Sequence, residues 1–214
     1  MNEGRYGERP RRPSGSLLFL CFFALCSLTN VESEAAVTDR AVRLLPRSMS
    51  FCGEPVMLDQ PLVRRRVLAE LRRLLKRPAM LKRWQRRARQ FFPEISTSIE
   101  QAGGCNMLKY LPLLESGLRA RAASGAGAKG WWQFIASTAK ELSLSRYKNW
   151  DERYALERST KAAITYLRQL YRRFGSWPLA LSAYNTGMGR LQRAQAAQQQ
   201  NQYWMLSLPE EAER

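Results

Sequence analysis

A single acid, Glu115, stands where an apolar run meets a glycine-rich loop in "LKYLPLLESGLRARAASGAGAKGWWQF", Leu108 to Phe134. Leu111, Leu113, Leu114 and Leu118 flank it. A carboxyl at the mouth of an apolar cleft has its charged form disfavoured, so it can stay protonated near neutral pH. That is the state a general acid needs. From Ser116 to Trp150 the only other acid is Glu141, so a pair of carboxylates is not evident nearby. A single-acid scheme fits: one Glu protonates a leaving oxygen and later acts as base, while an N-acetyl group of the substrate stands in for the second carboxylate.

The composition narrows the chemistry further. The chain has no His, which removes the imidazole base, Ser-His triads and most zinc sites together. Acid-base work falls to Glu, Asp, Lys, Tyr or Cys. No metal and no cofactor is expected.

Four separate motifs follow one another in the chain. They are Glu115-Ser116; Ser124, nine residues past the Glu; Gly127-Ala128-Lys129-Gly130-Trp131-Trp132-Gln133; and Ala183-Tyr184-Asn185-Thr186-Gly187. In order and spacing they resemble the lytic transglycosylases of bacterial cell walls, family 23 of the glycoside hydrolases, related to goose-type lysozyme. "GWWQFIASTA" and "YWMLSLPEE" look most like the membrane-bound murein transglycosylase D branch. The resemblance runs from about Phe51 to the C-terminus. It implies a mainly α-helical, lysozyme-like (goose-type) domain with Glu115 as catalytic acid/base.

By the same resemblance, Ser124 and Gln133 would hold the muramic acid unit through its N-acetyl group or nearby hydroxyls, and Tyr184 with Asn185 would close the other wall. The implied reaction cleaves the bond from N-acetylmuramic acid to N-acetylglucosamine in peptidoglycan glycan strands. The sugar's own 6-hydroxyl attacks, leaving a 1,6-anhydro end. Each residue also has a plainer reading: a loop serine, a polar group at a helix start, a buried ring and a turn former. Trp131 and Trp132 would either stack on sugar faces or pack in the core. The chain departs from the branch at Trp131, where an aliphatic residue is usual, and at Ala136, where Pro is usual. The closing segment departs too, reading Leu208-Pro209-Glu210-Glu211-Ala212. The lysin-motif repeats common in the branch are not seen, which leaves wall attachment to the basic helices over residues 61–90.

The elements that must position these residues read mostly as helices. Residues 36–60 look like an extended lead-in, with a Gly turn and short strand-like flanks in "FCGEPVMLD". Val63, Val67, Leu71, Leu74 and Leu75, then Leu81, Trp84 and Ala88, recur at helical spacing and predict two helices broken at Pro78. Met107 to Leu114 predicts a buried helix despite Pro112, and "GWWQFIASTAKELSL" predicts another. Residues 159–174 give an amphipathic helix with Ser159 as N-cap and Gly175 as its stop. A short apolar helix then starts near Pro178, closed by Gly187 and Gly189. The "QAAQQQNQ" run reads as a helix end or loop.

The organisation expected is a signal over residues 1–35, a lead-in with basic helices over 36–92, and a catalytic domain over 93–214. The first stretch has a basic start, apolar Leu17 to Leu28 and the small residues Ser33 and Ala35 before a cleavage point. A lipid anchor fits less well, because Leu20 and Leu25 precede Cys21 and Cys26 where a small residue is wanted. This predicts export to the periplasm or cell envelope, where Cys52 and Cys105 either form a disulfide or stay as buried thiols.

Without those 35 residues the chain keeps 31 basic and 14 acidic residues, a net charge of +17. Between Leu62 and Gln90 lie twelve Lys or Arg against the single Glu70. That is either a solvated helix face or a surface for an anionic envelope component. A non-catalytic wall-binding protein of the same fold is the rival class. Nucleic acid is not an expected partner, since no groove-reading motif accompanies the charge.

Overall fold

The computed structural model describes residues 33–208 and is built almost wholly from helices. The signal assigned to residues 1–35 lies outside the described residues except for its last three, where Ser33 caps the first helix. In chain order come α1 (Glu34–Leu44), β1 (Ser50–Phe51), β2 (Glu54–Pro55), α2 (Pro61–Leu75) and α3 (Pro78–Gln101). A 3-10 turn, Asn106–Lys109, leads into α4 (Tyr110–Ser116), and α5 is Ala136–Glu141. A second hairpin, β3 (Arg146–Tyr147) and β4 (Trp150–Asp151), is followed by the 3-10 turn Glu152–Tyr154. Then come α6 (Leu156–Phe174), α7 (Trp177–Thr186), α8 (Met188–Gln198) and a last 3-10 turn, Tyr203–Met205. This is a mainly α architecture with two small antiparallel hairpins.

Hydrophobic periodicity explains the long elements. α2 buries Val63, Val67, Leu71, Leu74 and Leu75, and α6 buries Ala163, Ile164, Leu167 and Leu170 along one stripe. α6 packs against both α3 and α7, and α7 packs on α8. Pro61 and Pro78 each sit in the first turn of their helix, where a missing N–H removes no intrahelical bond. The chain break at Pro78 therefore becomes the start of α3.

The N-terminal third is welded to the rest in four ways. Its buried residues, from Val37 and Ala41 onward, belong to the same apolar cluster as Trp132, Leu181 and Leu206. Cys52 and Cys105 are joined by a disulfide with Cα atoms 5.5 Å apart. The Glu54 carboxylate accepts from the Trp177 backbone N–H at 2.6 Å and the Ser176 hydroxyl at 2.7 Å, capping α7 from a distant hairpin. The Arg66 guanidinium donates to the carbonyls of Trp204 and Leu206, each at 3.1 Å.

Several expectations need correction. Residues 36–60 are not wholly extended, because α1 occupies Glu34–Leu44 and buries Val37 and Ala41. The boundary between Phe92 and Pro93 falls inside α3, which is continuous across it. Ser159 is not an N-cap: α6 begins at Leu156, and the buried Ser159 hydroxyl donates to the Ala155 carbonyl at 2.6 Å. "GWWQF" is not helical either, and α5 starts only at Ala136. Gly189 lies inside α8, so Gly187 alone ends α7. Local apolar spacing could not separate a helix from a tight loop where two tryptophans turn inward.

Candidate active site

α4 is a short helix with almost every side chain buried, including Leu111, Pro112, Leu113, Leu114 and Ser116. Glu115 is its exception, half-buried on the last turn. The helix stops at Gly117, whose φ of +60° suits a residue without Cβ. Its terminal carbonyls are then taken up one by one. Arg87 donates to the Gly117 carbonyl at 2.9 Å, and Arg119 Nε donates to the Ser116 carbonyl at 3.0 Å. The Ser116 hydroxyl donates to the Pro112 carbonyl at 2.8 Å. The two carbonyls that follow Glu115 are thus each held by a cation, which also suits the negative end of a helix. Burial pulls the Arg87 pKa below its ordinary value, and repulsion from Arg119, Arg86 and Arg83 adds to that.

The glycine-rich loop folds back on itself. Ser124 N–H donates to the Ala128 carbonyl at 2.9 Å, and the Ala128 N–H returns to the Ser124 hydroxyl at 3.1 Å. Lys129 is bridged to Ala123 on one side and to Phe134 on the other, so three short segments lie side by side. Gln133 locks this arrangement. It is buried at φ +52°, a left-handed conformation costly for a residue with a side chain, and its Nε2 donates to the carbonyls of Gly130 at 2.8 Å and Ala122 at 3.1 Å. The amide nitrogen is committed to the loop, which leaves Oε1 as the atom able to address a ligand.

A buried ion pair backs the same loop. Arg153 donates to the Phe134 carbonyl at 3.1 Å and the Gly127 carbonyl at 3.4 Å, while Asp151 holds it at 2.7 Å. The hydrogen bond from Arg153 keeps the Asp151 carboxyl below its usual pKa, and Arg153 is raised in turn. Removing one partner of such a pair would leave an uncompensated buried charge. Gly130 passes so close that an added Cβ would lie 1.8 Å from the Arg153 carbonyl oxygen.

A side chain of α7 reaches this loop. The Tyr184 hydroxyl donates to the Trp132 carbonyl at 2.6 Å, and its ring lies 5.9 Å from Phe134 and 5.7 Å from Tyr166. Burial pushes the Tyr166 phenol up, with Glu141 adding to the effect. Asn185 follows on the same helix, half-buried. Ser124, Gln133 and Tyr184 are therefore tied into one unit through Ala128, Ala122 and Trp132. Trp131 and Trp132 are core residues: their indole N–H groups donate to the Tyr154 carbonyl at 2.8 Å and the Thr160 hydroxyl at 3.0 Å. Among the described residues, no group of three Cys, Asp or Glu side chains converges to hold a metal ion.

Comparison with known proteins places most of these residues within a single family match. The transglycosylase SLT domain matches residues 98–207. The chain belongs to that family. It is 30% identical to the membrane-bound lytic murein transglycosylase D of Escherichia coli K12 over 170 residues, covering 77% of this chain and 37% of that protein. The same protein of Escherichia coli O6:H1 matches equally. A putative tributyltin chloride resistance protein of an Alteromonas species is 35% identical over 109 residues, half of this chain and 53% of that one. The chain thus spans between a third and about half the length of these relatives.

Sequence reasoning missed the residues that act on the backbone around the candidate site. Arg87 and Arg119 are indistinguishable in sequence from the many other arginines around them. Asp151 and Arg153 sit in "WDERY", where nothing marks them as the support of a loop twenty residues earlier. Ser116 was visible only as the partner of Glu115 in a motif.

Proposed function

We propose that this protein is a peptidoglycan lytic transglycosylase with Glu115 as its one acid/base. The carboxyl gives its proton to the glycosidic oxygen as the C1–O4 bond between N-acetylmuramic acid and N-acetylglucosamine breaks. The muramic N-acetyl oxygen bonds to C1 and holds the positive charge that develops there. Glu115, now a carboxylate, takes the proton of the 6-hydroxyl. O6 then attacks C1 and displaces the N-acetyl oxygen, giving the 1,6-anhydro sugar. No water is consumed, and the acid ends as it began.

The observation that carries this reading is the placement of Glu115. It is the one half-buried acid on an otherwise buried helix turn, followed at family spacing by the loop of Ser124 and Gln133 and by the Tyr184 wall. Ser124 and the Gln133 Oε1 atom hold the N-acetyl group or nearby hydroxyls, and Tyr184 with Asn185 closes the far side. Hydrogen-bonded positioning of this kind orients the N-acetyl group for attack.

Peptidoglycan in the periplasm or cell envelope is the substrate that fits, with export through the first 35 residues. No described helix is long and apolar enough to cross a membrane. The exposed Arg64, Arg65, Lys82, Arg83, Arg86 and Arg89 of α2 and α3 supply attraction to an anionic envelope surface. Mass spectrometry of products released from purified sacculi tests the reaction. Anhydro-muropeptides from the native chain and none from Glu115→Gln are expected; hydrolytic reducing ends, or undiminished release by the variant, would reject it.

A further inference from the structure

The β3–β4 hairpin carries the two most exposed aromatic side chains among the described residues. Tyr147 is 68% exposed and Trp150 is 62% exposed. They are direct cross-strand partners, so both rings stand on the same face of the hairpin. Lys148 at the turn lies over the Tyr147 ring, 5.3 Å from its centre. Arg146 and Asp151 form the other partnered pair and belong to the opposite face.

That opposite face opens onto a cleft of about 520 Å³ between the hairpin and α5. Lys140, Ser143, Ser145 and Arg146 line it, with the Asp151–Arg153 pair at its wall. None of Glu115, Ser124, Gln133, Tyr184 or Asn185 lines it. Lys140, Arg146 and Lys148 make no ion pair among the described residues, whereas Asp151 and Glu152 are matched by Arg153 and Arg158. The cleft is therefore left with unmatched positive charge.

The hairpin is also not an independent flap. β4 ends in Asp151, which grips Arg153, and Arg153 grips the carbonyls of Gly127 and Phe134 in the substrate loop. Whatever binds the hairpin is held at a fixed offset from the candidate active site.

We propose that the hairpin and its cleft form a second site for the same polymer, outside the catalytic groove. A sugar ring of the strand lies on Tyr147 and Trp150, and the carboxylates of its stem peptide pass over the edge to Arg146 and Lys140. A branched chain of sugars with acidic peptides matches both faces at once. Two rings at a two-residue tip offer too little apolar area for stable membrane anchoring, which needs a larger buried surface or a second anchor. This inference rests on the wall-cleaving function proposed above.

The test uses the full chain carrying Glu115→Gln, so that bound polymer is not cut. Co-sedimentation is measured with intact sacculi, with glycan strands stripped of their stem peptides, and with vesicles containing anionic phospholipid. Tyr147→Ala with Trp150→Ala is expected to weaken binding to intact and stripped glycan about tenfold each. Lys140→Ser with Arg146→Ser is expected to weaken binding to intact sacculi only. Thermal melting checks that the exposed substitutions leave the fold intact. Unchanged binding of both double variants, loss confined to vesicles, or equal loss by the charge variant on stripped glycan would overturn the inference. Failure of the Glu115→Gln parent to bind any glycan would instead remove the wall-cleaving function beneath it.

Discussion

The hydroxyl of Tyr184 donates to the main-chain carbonyl of Trp132 across 2.6 Å, binding α7 to the residue just before Gln133. The phenol therefore ties α7 to the glycine-rich loop. Tyr184→Phe keeps the ring contacts with Phe134 and Tyr166 and deletes this tether. The expected stability loss is about 1 kcal/mol, as for a typical single hydrogen bond. Turnover should fall by about tenfold or more, because slight misplacement of substrate-holding groups is amplified in rate. Chemical denaturation and steady-state digestion of sacculi check the two effects separately.

Glu115→Gln should retain the fold, since the side chain is half-buried and keeps its size. Release of anhydro products should fall by about 10²–10⁴-fold, the range associated with a positioned proton donor. Glu115→Asp should fall by a similar order, because shortening the side chain moves the proton away from the scissile oxygen. A melting temperature near that of the native chain, together with lost release, is the expected pattern.

Gly130 and Gly127 offer a matched comparison. Both have positive φ, +81° and +79°, but a Cβ at Gly130 would strike the Arg153 carbonyl, while at Gly127 nothing lies within 4 Å. Gly127→Ala should cost about 1–2 kcal/mol from its left-handed backbone alone. Gly130→Ala should cost about 3 kcal/mol or more, since the loop must shift away from the ion pair. Urea titration of the two variants measures the difference.

Acid stability should depend on Asp151. Its folded-state pKa lies below the ordinary 3.8 because Arg153 bonds the ionised form. A depressed carboxylate stabilises the fold fully above its unfolded pKa, and the contribution is lost as pH falls through the lower folded value. Melting temperature followed from pH 6 downward should therefore drop in the native chain below about pH 4. Asp151→Asn should start lower and lose less over the same window. Parallel curves for the two proteins would show that this pair does not set the acid limb.

Replacing Cys52 and Cys105 together by Ser should destabilise the protein by up to about 4 kcal/mol, the chain-entropy value for a loop closed across 53 residues. The first hairpin also supplies Glu54 to the start of α7, so loosening it should raise hydrogen exchange at Trp177. Exchange measured with and without reductant reads this coupling.

Sequence alone determined the helical class, the break at Pro78, the stop at Gly175 and the order Glu115, Ser124, Gln133, Tyr184 and Asn185. Those features are local: apolar spacing, proline and glycine chemistry, and motifs a few residues long. Tertiary structure decided what held them. The α1 helix buries only Val37 and Ala41 and carries too weak a stripe to be read from its residues. Gln133 turned out to brace the loop with its amide nitrogen, and Trp131 and Trp132 turned inward, because partners at Ala122, Tyr154 and Thr160 are distant in sequence. Arg87 and Arg153 became supports of the site only when folding brought their guanidinium groups to carbonyls far along the chain, while Arg119 reaches one only three residues back. A carbonyl acceptor belongs to every residue alike, so no side-chain pattern announces which one an arginine will reach.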